Sequence, residues 1–196
     1  MLYGENGIFT KRVIDTLAEM ADAGSLVFVD SRHHIQDFHH VIVKCNHLEL
    51  LRASNYQGNL EDEDGVPEDV IEQALQTYSR KTNLPVFISC GARGMKVNLP
   101  EYIPPSTVNF QSKEKKNILT VPPFHIEGEV DICGAGDSAL TGIACAAAAG
   151  ADMPAAALVG NLVASVIVQQ IGVTGTCTRE QLLERFDAYK ERLEHP

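Results

Sequence analysis

The stretch Glu129–Gly150, EVDICGAGDSALTGIACAAAAG, decides how the rest of the chain is interpreted. A short extended piece leads into a glycine-rich turn at Gly134, Asp137 follows, and then a helix of small residues. Glycines permit a tight turn, and the first N–H groups of a helix have no partner inside it. With the helix dipole, these groups form a site for an anion. A carboxylate within such a site suits catalysis, because it can take a proton from a hydroxyl while the amides stabilise the group under attack.

Three interpretations of this loop are open. The simplest is a glycine turn before a helix whose first turn carries an acid, where acids are favoured anyway. The second is a dinucleotide-binding loop, because Gly134, Gly136 and Ala139 match G-x-G-x-x-A. Against it, Asp137 would repel a pyrophosphate, and residues 153–171 predict a helix where a strand with a ribose-binding acid is needed. The third is phosphoryl transfer to an alcohol, without a Walker-type loop because no G-x-x-x-x-G-K-[ST] is present.

Composition limits the classes of function. The 196 residues, 44% of them hydrophobic, predict one globular domain with a substantial core. A formal net charge of -10 argues against nucleic acid or an anionic membrane as the main partner. No apolar run approaches membrane-spanning length, and no signal peptide opens the chain. Five widely spaced cysteines without a C-x-x-C pair predict reduced thiols and a cytoplasmic protein.

Apolar runs alternate with helical patterns along the chain. Runs at 26–30 (LVFVD), 41–43 (VIV) and 84–89 (LPVFIS) are typical of buried strands. Their alternation with helices predicts a parallel sheet with crossovers, so the expected fold class is α/β, a doubly wound and mostly parallel sheet flanked by helices. Residues 95–121 predict short antiparallel or irregular strands around a basic tip, SKEKKN.

Several helices are predicted from periodicity and capping. The first begins after Thr10 and ends at Gly24, with a buried face formed by Val13, Ile14, Leu17 and Met20. Further helices are predicted over 67–82, 154–171 and 179–193. The middle one is apolar nearly all round, hence buried on more than one side, and is ended by Gly172.

Two polar features have competing interpretations. Asn46 and Glu49 stand three apart at the start of an apolar helix, which is the spacing of a capping box. Five of the seven histidines lie between residues 33 and 47, and Asp37, His39 and His40 could supply metal ligands. The simpler interpretation of the histidine segment is a polar surface, because it contains no H-x-x-x-H pair with a matching acid.

The motif D-x-x-G-A-G-D, followed by an Ala/Gly-rich helix, resembles the C-terminal signature of the ribokinase (PfkB) carbohydrate kinases. The resemblance implies that Asp137 is the catalytic base. It also implies that the backbone amides of Gly134, Ala135 and Gly136 line the anion hole.

The resemblance implies metal sites as well. Asn46 and Glu49 match the family's N-x-x-E motif, with Cys45 in place of the usual Pro, and would organise Mg²⁺ and its waters near the phosphates of ATP. Capping is compatible with that role, because it pins both side chains at the C-terminal end of a strand, where α/β sites form. Asp131 matches an acid that helps to hold a monovalent cation such as K⁺, although Ile132 and its neighbour stand where Thr-Thr or Thr-Val is commoner.

A nucleotide site is implied by weaker motifs. Ser89, Gly91 and Gly94 match T-x-G-x-x-G, in which the glycine backbone lies along the nucleotide; a simple hairpin turn is the alternative. Asn161 would border the adenine pocket, the alternative being a buried, hydrogen-bonded Asn. Residues 173–176, VTGT, resemble the loop that closes over the base.

The resemblance runs from about Leu2 to Leu183 and is closest to the heptose-phosphate kinase branch, on the segments LYGENGIFT and VDSR. Family members carry an N-terminal portion, with most sugar contacts and the lid, before this point. We therefore expect residues 1–196 to form a single ribokinase-like domain truncated at its N-terminal side, with a homodimer or a missing N-terminal portion as its expected macromolecular partner.

The function implied is transfer of the γ-phosphoryl of ATP to a hydroxyl of a small-molecule sugar or sugar-phosphate. A nucleotide-binding or regulatory module without turnover is the main alternative. A dinucleotide-dependent oxidoreductase is the third.

Overall fold

The computed structural model describes residues 8–60, 65–82, 84–99 and 118–194. The basic tip and the first residues of the LYGENGIFT segment lie outside the described residues. The helices of the described part are α1 (Lys11–Asp22), α2 (His47–Ala53), α3 (Glu68–Thr82), α4 (Ala135–Ala148), α5 (Met153–Ile167) and α6 (Arg179–Glu194). The strands are β1 (Phe28–Val29), β2 (Ile42–Asn46), β3 (Val86–Ser89), β4 (Met95–Asn98) and β5 (Ile118–Val121).

The five strands form one sheet in the order β1-β2-β3-β4-β5. The pairings of β1 with β2 and of β2 with β3 are parallel, whereas β3–β4 and β4–β5 are antiparallel. The α/β class is confirmed, with a mixed sheet. The change of direction has a simple cause, because only residues 90–94 join β3 to β4, and a parallel crossover needs a dozen residues or more.

Helices cover both faces of this sheet, as the doubly wound prediction requires. Val43 and Ile88 belong to a buried cluster that includes side chains of α1, α2 and α3. Their sequence neighbours Ile42 and Phe87 belong to a second cluster, with side chains of α4 and α5. Successive residues of a strand point to opposite faces, so short apolar runs fill two cores at once.

Helices α4 and α5 pack closely because small residues lie between them. A methyl group on Gly160 would come within 2.7 Å of Ile143 Cγ1 and 2.9 Å of the Ala139 carbonyl oxygen. The prediction that α5 is buried on more than one side is confirmed, since residues from Met153 to Ile167 are buried around much of its circumference. No described helix is both long and apolar enough to cross a bilayer.

Two local predictions are wrong. Met20 is 48% exposed, because it lies about 120° around α1 from buried Ile14. Helix α5 ends at Ile167, well before Gly172, because the chain turns back through a loop.

The side chain of Gln170 holds that loop together. It donates to the Thr176 carbonyl at 2.7 Å and accepts from the Thr176 N–H at 3.1 Å.

All five cysteines lie in the described residues and are free. Burial raises the pKa of the Cys90 thiol to about 11.

Candidate active site

The C-terminal ends of the three parallel strands bring several predicted site residues to one edge of the sheet. Asn46 ends β2 and lies in register with Ser89, which ends β3. The Ser89 hydroxyl donates to the Cys45 carbonyl at 3.4 Å. Asp30 follows β1 at the same edge. In open α/β sheets this edge is where ligands bind.

Asn46 and Glu49 form the predicted capping box at the start of α2. The Asn46 side-chain oxygen accepts from the Glu49 N–H at 2.8 Å, and Glu49 Oε2 accepts from the Asn46 N–H at 2.8 Å. One carboxylate oxygen of Glu49 therefore takes no part in the box. This fits Mg²⁺, which keeps several of its waters and needs only one or two protein oxygens in addition to substrate phosphates.

Helix α4 begins at the GAGD turn. Gly134 is its N-cap, with φ +76°, a conformation that favours glycine. The Ala135 N–H donates to the Ile132 carbonyl at 3.1 Å, so this amide is already engaged. The N–H groups of Gly134, Gly136 and Asp137 have no acceptor in the described part of the chain. Two of the three predicted amides, those of Gly134 and Gly136, are thus open, and the Asp137 N–H is open beside them.

The Asp137 side chain is exposed in the first turn of α4. No hydrogen bond or ion pair of its carboxylate occurs among the described residues, whereas its backbone carbonyl accepts from the Thr141 hydroxyl at 2.9 Å. A carboxylate that the fold does not use is available to a ligand held at the same helix end.

Lys44 also lies at this candidate site and was not predicted from the sequence. Its side chain is only 3% exposed, and its Nζ donates to Asp30 Oδ2 at 2.7 Å. A Cβ atom on Gly136 would lie 3.1 Å from the same Nζ, so the ammonium contacts the first turn of α4. The available signal was a lysine inside the apolar run VIVKCN, since a buried lysine is rare unless it is paired.

Asp131 joins the GAGD loop to the loop that follows α5. Its Oδ1 accepts from the Cys133 N–H at 2.9 Å and its Oδ2 accepts from the Gly172 N–H at 2.9 Å. These two bonds, that from Cys133 first, lower the pKa of the Asp131 carboxyl. The Asp131 N–H also donates to the Val168 carbonyl at 2.8 Å. Asp131 is placed to hold the two loops together, and a K⁺ ion would have to share its oxygens with these donors.

Gly94 and Asn161, two of the residues predicted to border the nucleotide, both contact the end of β5 and the residues that follow it. A Cβ atom on Gly94 would clash with the Val121 carbonyl oxygen, and the φ of Gly94 is +87°. The Asn161 side chain donates to the carbonyls of Val121 and Pro122 at 3.3 and 3.2 Å. Gly91 makes no such contact, because no atom lies within 4 Å of the position that a Cβ atom on this residue would occupy.

Arg93, in the same turn, donates to the Val66 carbonyl at 2.9 Å and lies 3.6 Å from Glu68. It is therefore engaged with the start of α3. The turn itself is the hairpin connection between β3 and β4.

Three of the five histidines of this segment pair with one acid each: His34 with Asp37 at 2.9 Å, His39 with Asp15 at 3.9 Å, and His40 with Asp22 at 2.8 Å. No group of three or more possible metal-ligating side chains from His, Cys, Asp and Glu occurs among the described residues. The side chains of His34, His39 and His40 are 38%, 50% and 57% exposed, as expected for a polar surface.

Two curated proteins match parts of the chain. Inositol 3-kinase of Arabidopsis thaliana is 47% identical over 58 residues, which are 30% of this chain and 16% of that protein. Bifunctional protein HldE of Shewanella baltica is 43% identical over 54 residues, 28% of this chain and 11% of that protein.

Solved structures share the fold at low sequence identity. Phosphofructokinase-2 of Escherichia coli aligns with a TM-score of 0.68 and 16% identity, over 93% of this chain and 52% of its own. Ribokinase of Arabidopsis thaliana aligns with a TM-score of 0.68 and 18% identity, over 90% of this chain and 52% of its own. The chain spans about half the length of these kinases.

A model of one protein family matches residues 10–180, which include nearly all the elements described above. The chain belongs to the pfkB family of carbohydrate kinases.

Proposed function

We propose that the chain transfers the γ-phosphoryl group of ATP to a hydroxyl of a sugar or sugar-phosphate, with Asp137 as the general base. One observation carries the proposal. At the first turn of α4, an exposed carboxylate with no partner in the described chain lies beside two N–H groups that have no acceptor. The kinase family and fold supply the reaction class.

The chemistry needs positioning and charge stabilisation more than covalent participation. The N–H groups of Gly136 and Asp137 donate to oxygens of the transferred phosphoryl group, and the helix dipole favours its negative charge. The Asp137 carboxylate accepts the proton of the attacking hydroxyl. General base assistance of this kind contributes about 10²–10⁴ in rate.

Mg²⁺ would neutralise phosphate charge when bound, and Asn46 and Glu49 would hold it through its waters. Ser89, Gly91, Gly94 and Asn161 would border the nucleotide; Gly94 and Asn161 shape the segment that follows β5. The similar Arabidopsis ribokinase was solved with ribose and ATP, which motivates a sugar acceptor and ATP here.

Three further parts of the proposal concern the surroundings of the site. Asp131 is proposed to bind K⁺ in addition to its two amide partners. A cytoplasmic location is proposed from the five free cysteines. A homodimer or an N-terminal portion is proposed to complete the acceptor site, because the chain spans about half of the related kinases.

A second candidate, a nucleotide-binding or regulatory module without turnover, is favoured by the same half-length coverage. The two candidates differ in one measurable respect. A kinase phosphorylates an acceptor from a panel of sugars and sugar-phosphates, whereas a module binds ATP with Mg²⁺ and leaves every acceptor unchanged.

The Asp137→Asn variant tests the base assignment. We expect it to keep ATP affinity within about twofold, because the amides and the helix remain, and to lose about 10²–10⁴ in turnover. The measurements are calorimetric ATP binding and transfer of labelled phosphate to the acceptor that the wild type uses. Unchanged turnover in the variant would refute Asp137 as the base.

A further inference from the structure

A buried ion pair lies under the proposed phosphate site. Lys44 is on β2 and Asp30 follows β1, and their side chains are 3% and 19% exposed. Lys44 lies on the same face of the sheet as Ile42, the face covered by α4 and α5. Its Nζ contacts the first turn of α4 at Gly136.

The position of this ammonium is electrostatically unfavourable by itself. The N-terminal end of a helix carries a partial positive charge, and cations are favoured at the opposite end. Taking a lysine out of water is costly as well, and one carboxylate offsets this cost only with good geometry and further hydrogen bonds. Such local conflicts are typical of functional sites, where a ligand resolves them.

A second buried lysine in the same sheet provides a comparison. Lys96 is also 3% exposed, but its Nζ has three partners: Glu68 at 2.5 Å, Glu72 at 2.9 Å and the Thr120 hydroxyl at 3.0 Å. An ammonium has three N–H donors, so those of Lys96 are all used. Within the described residues, Lys44 has one acceptor, Asp30, and two donors remain beside Gly136.

We propose that Lys44 is the cationic member of the anion site and donates to the terminal phosphate of a nucleoside triphosphate held by the amides of α4. Asp30 is its positioning residue, because it fixes the ammonium against the helix end. The inference rests on the proposed function and adds the charge that the two backbone donors lack. A phosphate between Lys44 and Gly136 turns the unfavourable contact into a favourable one.

Four variants separate this role from a structural one. Lys44→Met removes the charge and keeps the length of the side chain. Asp30→Asn leaves the ammonium without its counterion. The double variant removes both charges together. Lys96→Met is the matched control, because its lysine has the same burial but faces the acids of α3.

Affinities are measured by calorimetry for ATP, ADP, AMP, adenosine and inorganic tripolyphosphate, and the melting temperature is recorded for every variant. We expect Lys44→Met to weaken ATP and tripolyphosphate by about 10- to 100-fold, the range for a hydrogen bond to a charged group, and adenosine by less than about twofold. The double variant should recover the melting temperature lost in Asp30→Asn without recovering triphosphate affinity. Lys96→Met should lower the melting temperature and leave the order of affinities unchanged.

The outcomes distinguish failure of the Lys44 inference from failure of the proposed function. If Lys44→Met binds ATP and tripolyphosphate as the wild type does, Lys44 is a structural residue and the inference is overturned, whether or not transfer occurs. If the wild type binds ATP and tripolyphosphate through Lys44 but transfers phosphate to no acceptor, the inference stands and the proposed function falls. If the wild type binds no polyphosphate, both are overturned.

Discussion

At the scale of single residues, Asp131 shows how one carboxylate can fix a site that consists mostly of backbone. One of its oxygens accepts a hydrogen bond from the Cys133 N–H in the GAGD loop. The other accepts a hydrogen bond from the Gly172 N–H, which is 41 residues from Asp131 along the chain. The GAGD turn and the loop after α5 are thereby held in one arrangement. The open amides of Gly136 and Asp137 depend on that arrangement.

The Asp131→Asn variant should loosen the two loops. An asparagine amide has one accepting oxygen, so its NH₂ group would face one of the two backbone donors. We expect a lower melting temperature at neutral pH, measured by thermal denaturation between pH 3 and 7.

The pH dependence has a definite sign. Hydrogen bonds from Cys133 and Gly172 lower the pKa of Asp131 in the folded chain. The stabilisation is therefore complete above the ordinary aspartate value of about 3.9 and is lost as the pH falls through the lowered pKa. The variant should lack this contribution at every pH, so its melting temperature should approach that of the wild type in acid. If the melting temperatures of the wild type and the variant differed by the same amount at all pH values, this role of the Asp131 carboxylate would be contradicted.

If K⁺ also binds Asp131, replacing Na⁺ with K⁺ should raise the melting temperature of the wild type alone.

At the scale of elements, two helices of the described residues begin with the same capping arrangement. Asn46 and Glu49 cap α2 at the candidate site, and Thr178 and Gln181 cap α6, with the Thr178 N–H donating to Gln181 at 2.8 Å. Only the first box lies at the C-terminal edge of the parallel strands. A comparison of variants in the two capping boxes therefore separates the contribution of capping to stability from any role of Asn46 in binding.

Three variants use this pair. Asn46→Ala and Thr178→Ala should each cost about 1 kcal/mol of unfolding free energy, whereas Asn46→Ser keeps a capping oxygen and should cost a few tenths. Urea denaturation gives these values. Under the proposed function, both Asn46 variants weaken Mg²⁺-dependent ATP binding and Thr178→Ala does not. If Asn46→Ser binds Mg²⁺ and ATP like the wild type, Asn46 is a cap and nothing more.

The elements also show where sequence patterns were sufficient. The strand cores, the capping box of Asn46 and Glu49 and the apolar helix α5 follow from local periodicity and from the hydrogen-bonding groups of the residues, and the sequence predicted them. The end of α5 did not follow, because the side chain of Gln170 folds the next loop and no local signal marks that contact. Lys44 was missed for a related reason: its contact with Gly136 joins positions 92 residues apart in the sequence.

At the scale of the whole molecule, the arrangement of layers brings the site together. The three parallel strands end at one edge, and α4 places its open N–H groups over that edge from one face of the sheet. The antiparallel β4 and β5 carry the segment on which Gly94 and Asn161 meet. The chain thus holds a candidate phosphate-binding helix end and a candidate nucleotide border in about half the length of the related kinases.

The most direct test of this arrangement is the response of the backbone amides of α4 to ligand. In a ¹⁵N-labelled chain of 21.3 kDa, amide signals are followed while ATP with Mg²⁺, tripolyphosphate or adenosine is added. We expect the Gly136 and Asp137 signals to move with ATP and with tripolyphosphate, and to stay in place with adenosine. Binding of ATP that leaves both signals unchanged would contradict a phosphate site at the start of α4.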